Sequence, residues 1–332
     1  MNEKNRLFII LVVIFPLLVS FKNGFDSRSD YSFYTSPEGI LISSNTKSWN
    51  EKKLRSLYDE LVKNKYGEEI HSLEEIHVFG EPLGTTHTKG SYNSITHTIS
   101  LFHASKYTKI SDYTETLSHE YGHHFAYTHF PAHHFPFSNW IRIRDIDSYT
   151  IRWDAFWNYR ENHHPLYPQE IFADDYVLLY GPKKITAVED IYSNEAFYLR
   201  TEHENQKISN ALENEELHAF LANKTGILVD KERLLKKPIF EAYLDSLLTF
   251  QVSAKKNVAY RLNLTVYHSS DHQENYEFYM ITNNDEDSQL AFPLNNHKLV
   301  NIADAKSITF NVDVVDLSTS FGLHSDTWTL HL

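Results

Sequence analysis

The sequence predicts an α+β protein in two parts, a mixed helix-and-strand segment over residues 45–250 and a small all-β sandwich over 251–332. Three observations carry this division. Apolar residues recur at three- and four-residue spacing in separate stretches before residue 180, the mark of helices that bury one face. A period-two stretch lies between the first two of them. After Thr249 the pattern changes to short alternating runs separated by turn residues.

Taken in order, residues 1–24 read as a targeting segment. Lys4 and Arg6 precede an apolar run over 7–21, interrupted by Pro16 and Ser20. Its length matches the apolar core of an export signal and falls short of the roughly twenty residues of a full membrane span. Cleavage after Ser20 would put Leu18 where a small residue is preferred, so a cleaved signal peptide and a retained N-terminal anchor both stand. Either way the remainder is expected to be extracytoplasmic, secreted or held at the membrane by this segment. Residues 25–44, with Ser, Asp and Gly interspersed, read as a linker. Leu54, Leu57, Leu61 and Val62 then fall on one face of a helix over 48–65.

A short strand is expected at 76–79, followed by a Gly- and Thr-rich turn over 80–90. Ile95, Ile99 and Leu101 predict a strand over 94–102. Tyr113, Leu117, Tyr121 and Phe125 predict a helix over 113–128, which Pro131 and Pro136 end. A further helix runs over 168–180 and stops at Gly181-Pro182. The Glu- and Ala-rich stretch 194–220 reads as helical, as does 231–250 around Pro238. Beyond it, Tyr260, Leu262, Leu264 and Val266 alternate with polar residues, as do Ile308, Phe310, Val312 and Val314, and then Trp328, Leu330 and Leu332. Turn-rich pieces at 283–287 and 295–296 separate these runs, which suggests a sandwich of immunoglobulin-like type.

Composition narrows the function. Hydrophobic residues at 41% and charged residues at 23% are those of a folded chain rather than a disordered one. A formal net charge of -13 argues against nucleic acid as a partner, since phosphate binding needs a basic face. There is no cysteine among the 332 residues, which removes disulfides, thiol nucleophiles and thiolate-held metals. Any metal must be held by His, Asp or Glu, and 20 histidines are available.

The segment His119-Glu120-Tyr121-Gly122-His123 concentrates that chemistry. Residues four apart share a helix face, so His119 and His123 can aim a ring nitrogen at one ion. Glu120 projects beside the ion, where it can take a proton from water. A third ligand must come from elsewhere. The helix over 168–180 supplies Glu170 and, one turn on, Asp174. Glu170 can complete the set while Asp174 accepts a hydrogen bond from a ligand imidazole, which fixes its tautomer. A surface helix with scattered histidines and two solvated acids is the plain alternative.

His119–His123 as HEYGH, with Glu170 and Asp174 as E-x-x-x-D, resembles the gluzincin metallopeptidases, the clan of the thermolysin-like enzymes. The resemblance covers about 76–181 and departs from the usual pattern at Gln169, where Asn is common. It implies a zincin-like domain, zinc held by His119, His123 and Glu170, Glu120 as general base, and Asp174 as the partner of His119. It also implies that 94–102 is the edge strand along which an extended peptide or protein substrate pairs.

A donor for the developing oxyanion is expected among His163, His164, Tyr159 and Tyr149, which lie between the two helices. The neighbouring His124, His129, His133 and His134 invite a second metal site, with a cleft or surface loop as the plainer reading. Arg142, Arg144 and Arg152 can pair with Asp145, Asp147 and Asp154, or bind a substrate carboxylate. The expectation is therefore a zinc-dependent peptide hydrolase with an accessory β-domain. An exported binding or adhesion protein, and an inactive metallopeptidase fold with structural zinc, are the competing readings.

Overall fold

A computed structural model describes residues 30–81, 88–146, 151–269, 272–294 and 305–332. The chain is a mixed α+β protein that divides into two compact units. The first takes in the chain up to Pro182 together with Glu215–Val229, and the second holds Lys183–Asn214 and Asp230–Leu332. The division expected at 250/251 thus falls inside the second unit, and the segment 215–229 returns to the first. The apolar run at 7–21 lies outside the described residues. No helix among the described residues is long and apolar enough to cross a membrane.

The first unit is built on a five-stranded sheet in the order β1-β2-β3-β5-β4. Its strands are β1 (Ser32–Thr35), β2 (Leu41–Ser44), β3 (Glu75–Val78), β4 (Gly90–Asn93) and β5 (Thr98–Leu101). β2, β3 and β5 run parallel, while β1 and β4 pair antiparallel at the two edges. Residues 31–44, expected as a linker, therefore form the first hairpin. Gly39 makes it possible, turning at φ +93° where an L side chain is strained, while Ser36 N–H donates to the Ile40 carbonyl at 3.0 Å.

One face of the sheet buries Ile42, Ile76, Val78, Ile99 and Leu101. Against this unit's core lies α1 (Glu51–Leu61), whose Leu54, Leu57 and Leu61 are buried and whose N-cap Asn50 accepts from Lys53 N–H. Each such leucine contributes about 1.5–3 kcal/mol by leaving water. The helix α2 (Thr114–His129) buries Leu117, Tyr121 and Phe125, and α3 (Pro168–Tyr180) is buried along nearly its whole length. Phe125 meets Phe172, Tyr176 and Tyr180 of α3 ring to ring, so an aromatic seam joins these two helices. Pro168 opens α3 at a position that needs no N–H. The helix α4 (Glu215–Thr225) completes the unit, with Phe220 against Phe130 at 5.4 Å.

The second unit is dominated by two antiparallel sheets. One has the order β10-β7-β6, from β6 (Ile239–Leu244), β7 (Leu247–Gln251) and β10 (Gln289–Pro293). The other centres on β11 (Ala305–Asp316), which pairs β8 (Val258–His268) on one side and β12 (Gly322–His324) and β13 (Trp328–His331) on the other. β9 (Gln273–Ile281) extends it beyond β8. Phe240 and Phe250 of the first sheet pack on Phe310 and Trp328 of the second, so the two sheets share an aromatic core.

Two helical expectations are corrected here. Residues 231–250 form a 3-10 turn and then the β6–β7 hairpin, because Asp245 and Ser246 both take left-handed φ (52° and 61°) and close a two-residue loop. Residues 194–220 break into short helices at Glu195–Tyr198 and Ala211–Glu213 before α4 begins.

Candidate metal centre

His119 and His123 lie one turn apart on α2, their rings nearly perpendicular with centroids 4.9 Å apart. Both turn Nε2 toward α3, where Glu170 Oε2 lies 3.2 Å from His119 and 3.1 Å from His123. On the opposite side of the His119 ring, Nδ1 lies 3.0 Å from Asp174 Oδ1, one turn beyond Glu170. A third imidazole arrives from the 3-10 segment Glu161–Leu166: His164 Nε2 is 3.0 Å from the same Glu170 oxygen, its ring stacked beside His119.

Hydrogen bonding alone explains this poorly. A carboxylate oxygen has two lone-pair directions and cannot align with three imidazole nitrogens at once. The donors suit a shared ion better. One donor atom each from His119, His123 and Glu170 lies within 4.8 Å of the others. Ligands on an ion with bonds of about 2.0–2.1 Å stand about 3.3 Å apart in a tetrahedral set. Two imidazoles and a carboxylate, in a chain without cysteine, form a borderline donor set that suits zinc.

The site is buried, and its charges hold one another. Burial opposes the charged form of His119, but the hydrogen bonds to Asp174 and Glu170 outweigh it and raise its pKa well above the ordinary value. Burial likewise opposes ionisation of Glu170, yet His123, His119 and His164 hold its carboxyl well below the usual range. Glu120 differs: burial raises its pKa, and the nearby His123 and His119 offset only part of that. A buried carboxylate whose affinity for a proton is raised is suited to taking one and giving it back.

Two glycines explain how the elements approach so closely. A Cβ on Gly122 would stand 3.0 Å from the backbone of Ala173, so the helices carrying HEYGH and Glu170 cross at a point with no room for a methyl group. A Cβ on Gly90 would stand 2.6 Å from Thr116 Cγ2 and 2.7 Å from Glu120 Oε1. The β4 strand therefore runs directly beside the carboxylate of Glu120.

The structure brings together His119, Glu120, His123, Glu170 and Asp174. Asp175 faces away and pairs with Arg144 at 2.9 Å, both fully buried, so it is Asp174 that meets His119. Arg152 pairs with Asp154. Of the proposed oxyanion donors, His164 reaches Glu170 directly. Tyr159 stacks on Tyr167 at 5.1 Å and is half exposed, without a hydrogen bond to either carboxylate among the described contacts. His163 makes no contact with the ligand set among the described residues and leaves Nδ1 buried without a hydrogen-bond partner. Tyr149 lies outside the described residues.

Two further expectations change. The edge strand is β4, not the stretch 94–102, whose first half is a turn: Asn93 accepts from Ile95 and Thr96 N–H, and His97 takes φ 50°. The extra histidines do not gather into a second centre. His124 lies between Tyr92 and Glu69, His129 pairs with Glu69 at 3.0 Å, and His133 and His134 sit instead with Tyr127. Burial lowers His124 to about 4 and His133 to about 3, so both are neutral near pH 7. Sequence reading missed Tyr92 and Tyr127. Both are aromatic residues that any core would hold, and only the β4–α2 packing marks them out.

No protein-family model matches this chain, and no curated protein matches it. The functional reading therefore stands on the geometry of the site.

Proposed function

We propose that this chain is an extracytoplasmic zinc-dependent hydrolase of peptide bonds. The observation that carries the reading is the convergence of His119, His123 and Glu170, with Glu120 beside them and Asp174 behind His119. In that reading His119 Nε2, His123 Nε2 and a Glu170 oxygen hold the metal. A zinc ion there would supply Lewis acidity toward a water molecule and a substrate carbonyl.

The chain's own groups do the rest. Asp174 keeps the proton of His119 on Nδ1 and so leaves Nε2 free to bind. Glu120, its carboxyl favouring the proton through burial, accepts one from the attacking water and returns it to the leaving nitrogen. His164 Nε2, 3.0 Å from Glu170 Oε2, is the donor for the carbonyl oxygen as its charge grows. The backbone of β4, beside Glu120, offers main-chain groups to an extended peptide.

In this reading the first unit is a zincin-like domain of the gluzincin kind, and the second unit's two sheets are an immunoglobulin-like accessory module. The N-terminal apolar run would export the chain or anchor it. The test is hydrolysis of a peptide library by wild type and Glu120→Gln, with zinc quantified in both. The expected result is cleavage by wild type alone at equal zinc content. Equal cleavage by both proteins, or none by either with zinc present, overturns the proposal and favours an exported binding protein.

A further inference from the structure

The residue after the second motif histidine has no part in the ligand set, yet it is fully buried and bonded at both ring nitrogens. His124 Nε2 lies 2.8 Å from the Glu69 carbonyl oxygen, which can only accept, so Nε2 carries the proton. Nδ1 is then the acceptor, and the Tyr92 hydroxyl donates to it at 3.0 Å, while the same hydroxyl oxygen can accept from His97 Nδ1 at 3.3 Å. The tautomer is thus fixed by its partners. Glu69 is itself held in place: its side chain accepts from Gly67 N–H at 3.0 Å, from the Tyr121 hydroxyl at 2.9 Å and from His129 at 3.0 Å.

Tyr92 belongs to β4, and the register shows which of the strand's main-chain groups point away from β5. Phe102 N–H donates to the Lys89 carbonyl, and the pairs that follow are Gly90 with Leu101, Ser91 with Ser100 and Tyr92 with Ile99. In an antiparallel ladder, pairs alternate between bonded and non-bonded. Lys89, Ser91 and Asn93 therefore bond inward to β5, and Gly90 and Tyr92 turn their N–H and C=O outward. β4 ends the sheet among the described residues, so these groups point away from β5; Gly90 is buried there, whereas Tyr92 is partly exposed. Gly90 is the residue beside Glu120. Tyr92 presents the next outward pair along the strand, and its side chain is tied to the motif helix.

We infer that the Tyr92–His124 hydrogen bond is a positioning strap that sets the β4 edge at the distance from the metal ligands needed to seat an extended peptide. Tyr92 and His124 are positioning residues: neither touches the reacting atoms. The inference rests on the peptide-hydrolase reading, and its test separates the two.

Tyr92→Phe keeps the ring and removes the hydroxyl, and with it the contacts to His124 and His97. For extended peptides that span the length of β4 it should raise KM about fivefold, the worth of one net hydrogen bond, with kcat and zinc content held. For short peptides that occupy only the Gly90 end, KM should not change. The same variant in a Glu120→Gln background should weaken binding of the extended peptide by the same factor, read by fluorescence anisotropy without turnover. Tyr92→Phe with unchanged KM and unchanged binding overturns the strap. So does a variant that loses zinc or thermal stability and lowers kcat on long and short peptides alike. If wild type cleaves nothing, yet Glu120→Gln binds extended peptides with the Tyr92 dependence, the strap stands and the hydrolase reading falls.

Discussion

Asp174 and Asp175 are adjacent in sequence and opposite in environment. One hydrogen-bonds His119, and the other is locked to Arg144 in the core. Helix periodicity made Glu170 and Asp174 readable as a pair with HEYGH, because three- and four-residue spacing converts directly into a shared face. The same logic gives Asp174→Asn a specific effect. The amide cannot take the role of an anionic acceptor, so zinc affinity should fall about 10- to 100-fold, measured by competition with a chelator. The fold should persist, because asparagine matches the shape of the buried aspartate and Asp174 makes no part of the aromatic seam. An unchanged affinity would remove Asp174 from the metal's support. His164 and Tyr159 were legible only as members of a group of four. They sit on turns and a 3-10 segment with no periodic pattern, so nothing in the sequence shows which side chain faces inward.

Helices were the most legible elements, and α3 runs over the residues its spacing predicts. The α2–α3 crossing depends on Gly122, and its methyl-sized limit is testable. Gly122→Ala places a Cβ against the Ala173 backbone, which cannot yield as a side chain would, so overpacking should cost about 1–3 kcal/mol. A lowered Tm is expected; an unchanged or raised Tm, through better helix propensity, would show that the crossing has slack. Strands were less legible. The β6–β7 hairpin hides behind Asp245-Ser246, a pair that takes I′ geometry without the glycine that usually announces it. β4 is hidden because its edge position follows from pairing with β5, which no local pattern reveals.

The second unit carries its own charged element. His324 of β12 hydrogen-bonds Asp313 of β11 and pairs with Glu202, and these two partners raise its pKa to about 9 against the drag of burial. Because the folded value exceeds the unfolded value of about 6.5, its contribution is complete below that pH and is lost as pH rises through about 9. Asp313, held low, stays ionised throughout that window. The Tm gap between wild type and His324→Ala should therefore be larger at about pH 6 than at about pH 10. A gap that is constant, or that widens with pH, contradicts this.

At the scale of the whole chain, the two-part organisation was legible from the change in periodicity, but its border was not. Segment 215–229 leaves the second unit and rejoins the first, with Phe220 on Phe130, and no composition shift marks that return. The mixed α+β class follows from local patterns; the long-range pairings that build the units do not. The chemistry of the chain meets at one centre, in which residues 119, 123 and 170 come from two helices pressed together at Gly122. Its most direct test is the zinc content of the purified full chain, wild type against Glu170→Ala, by inductively coupled plasma mass spectrometry. About one zinc per wild-type chain is expected, and far less in the variant. Wild type without stoichiometric metal, or a variant that holds as much as wild type, would contradict it.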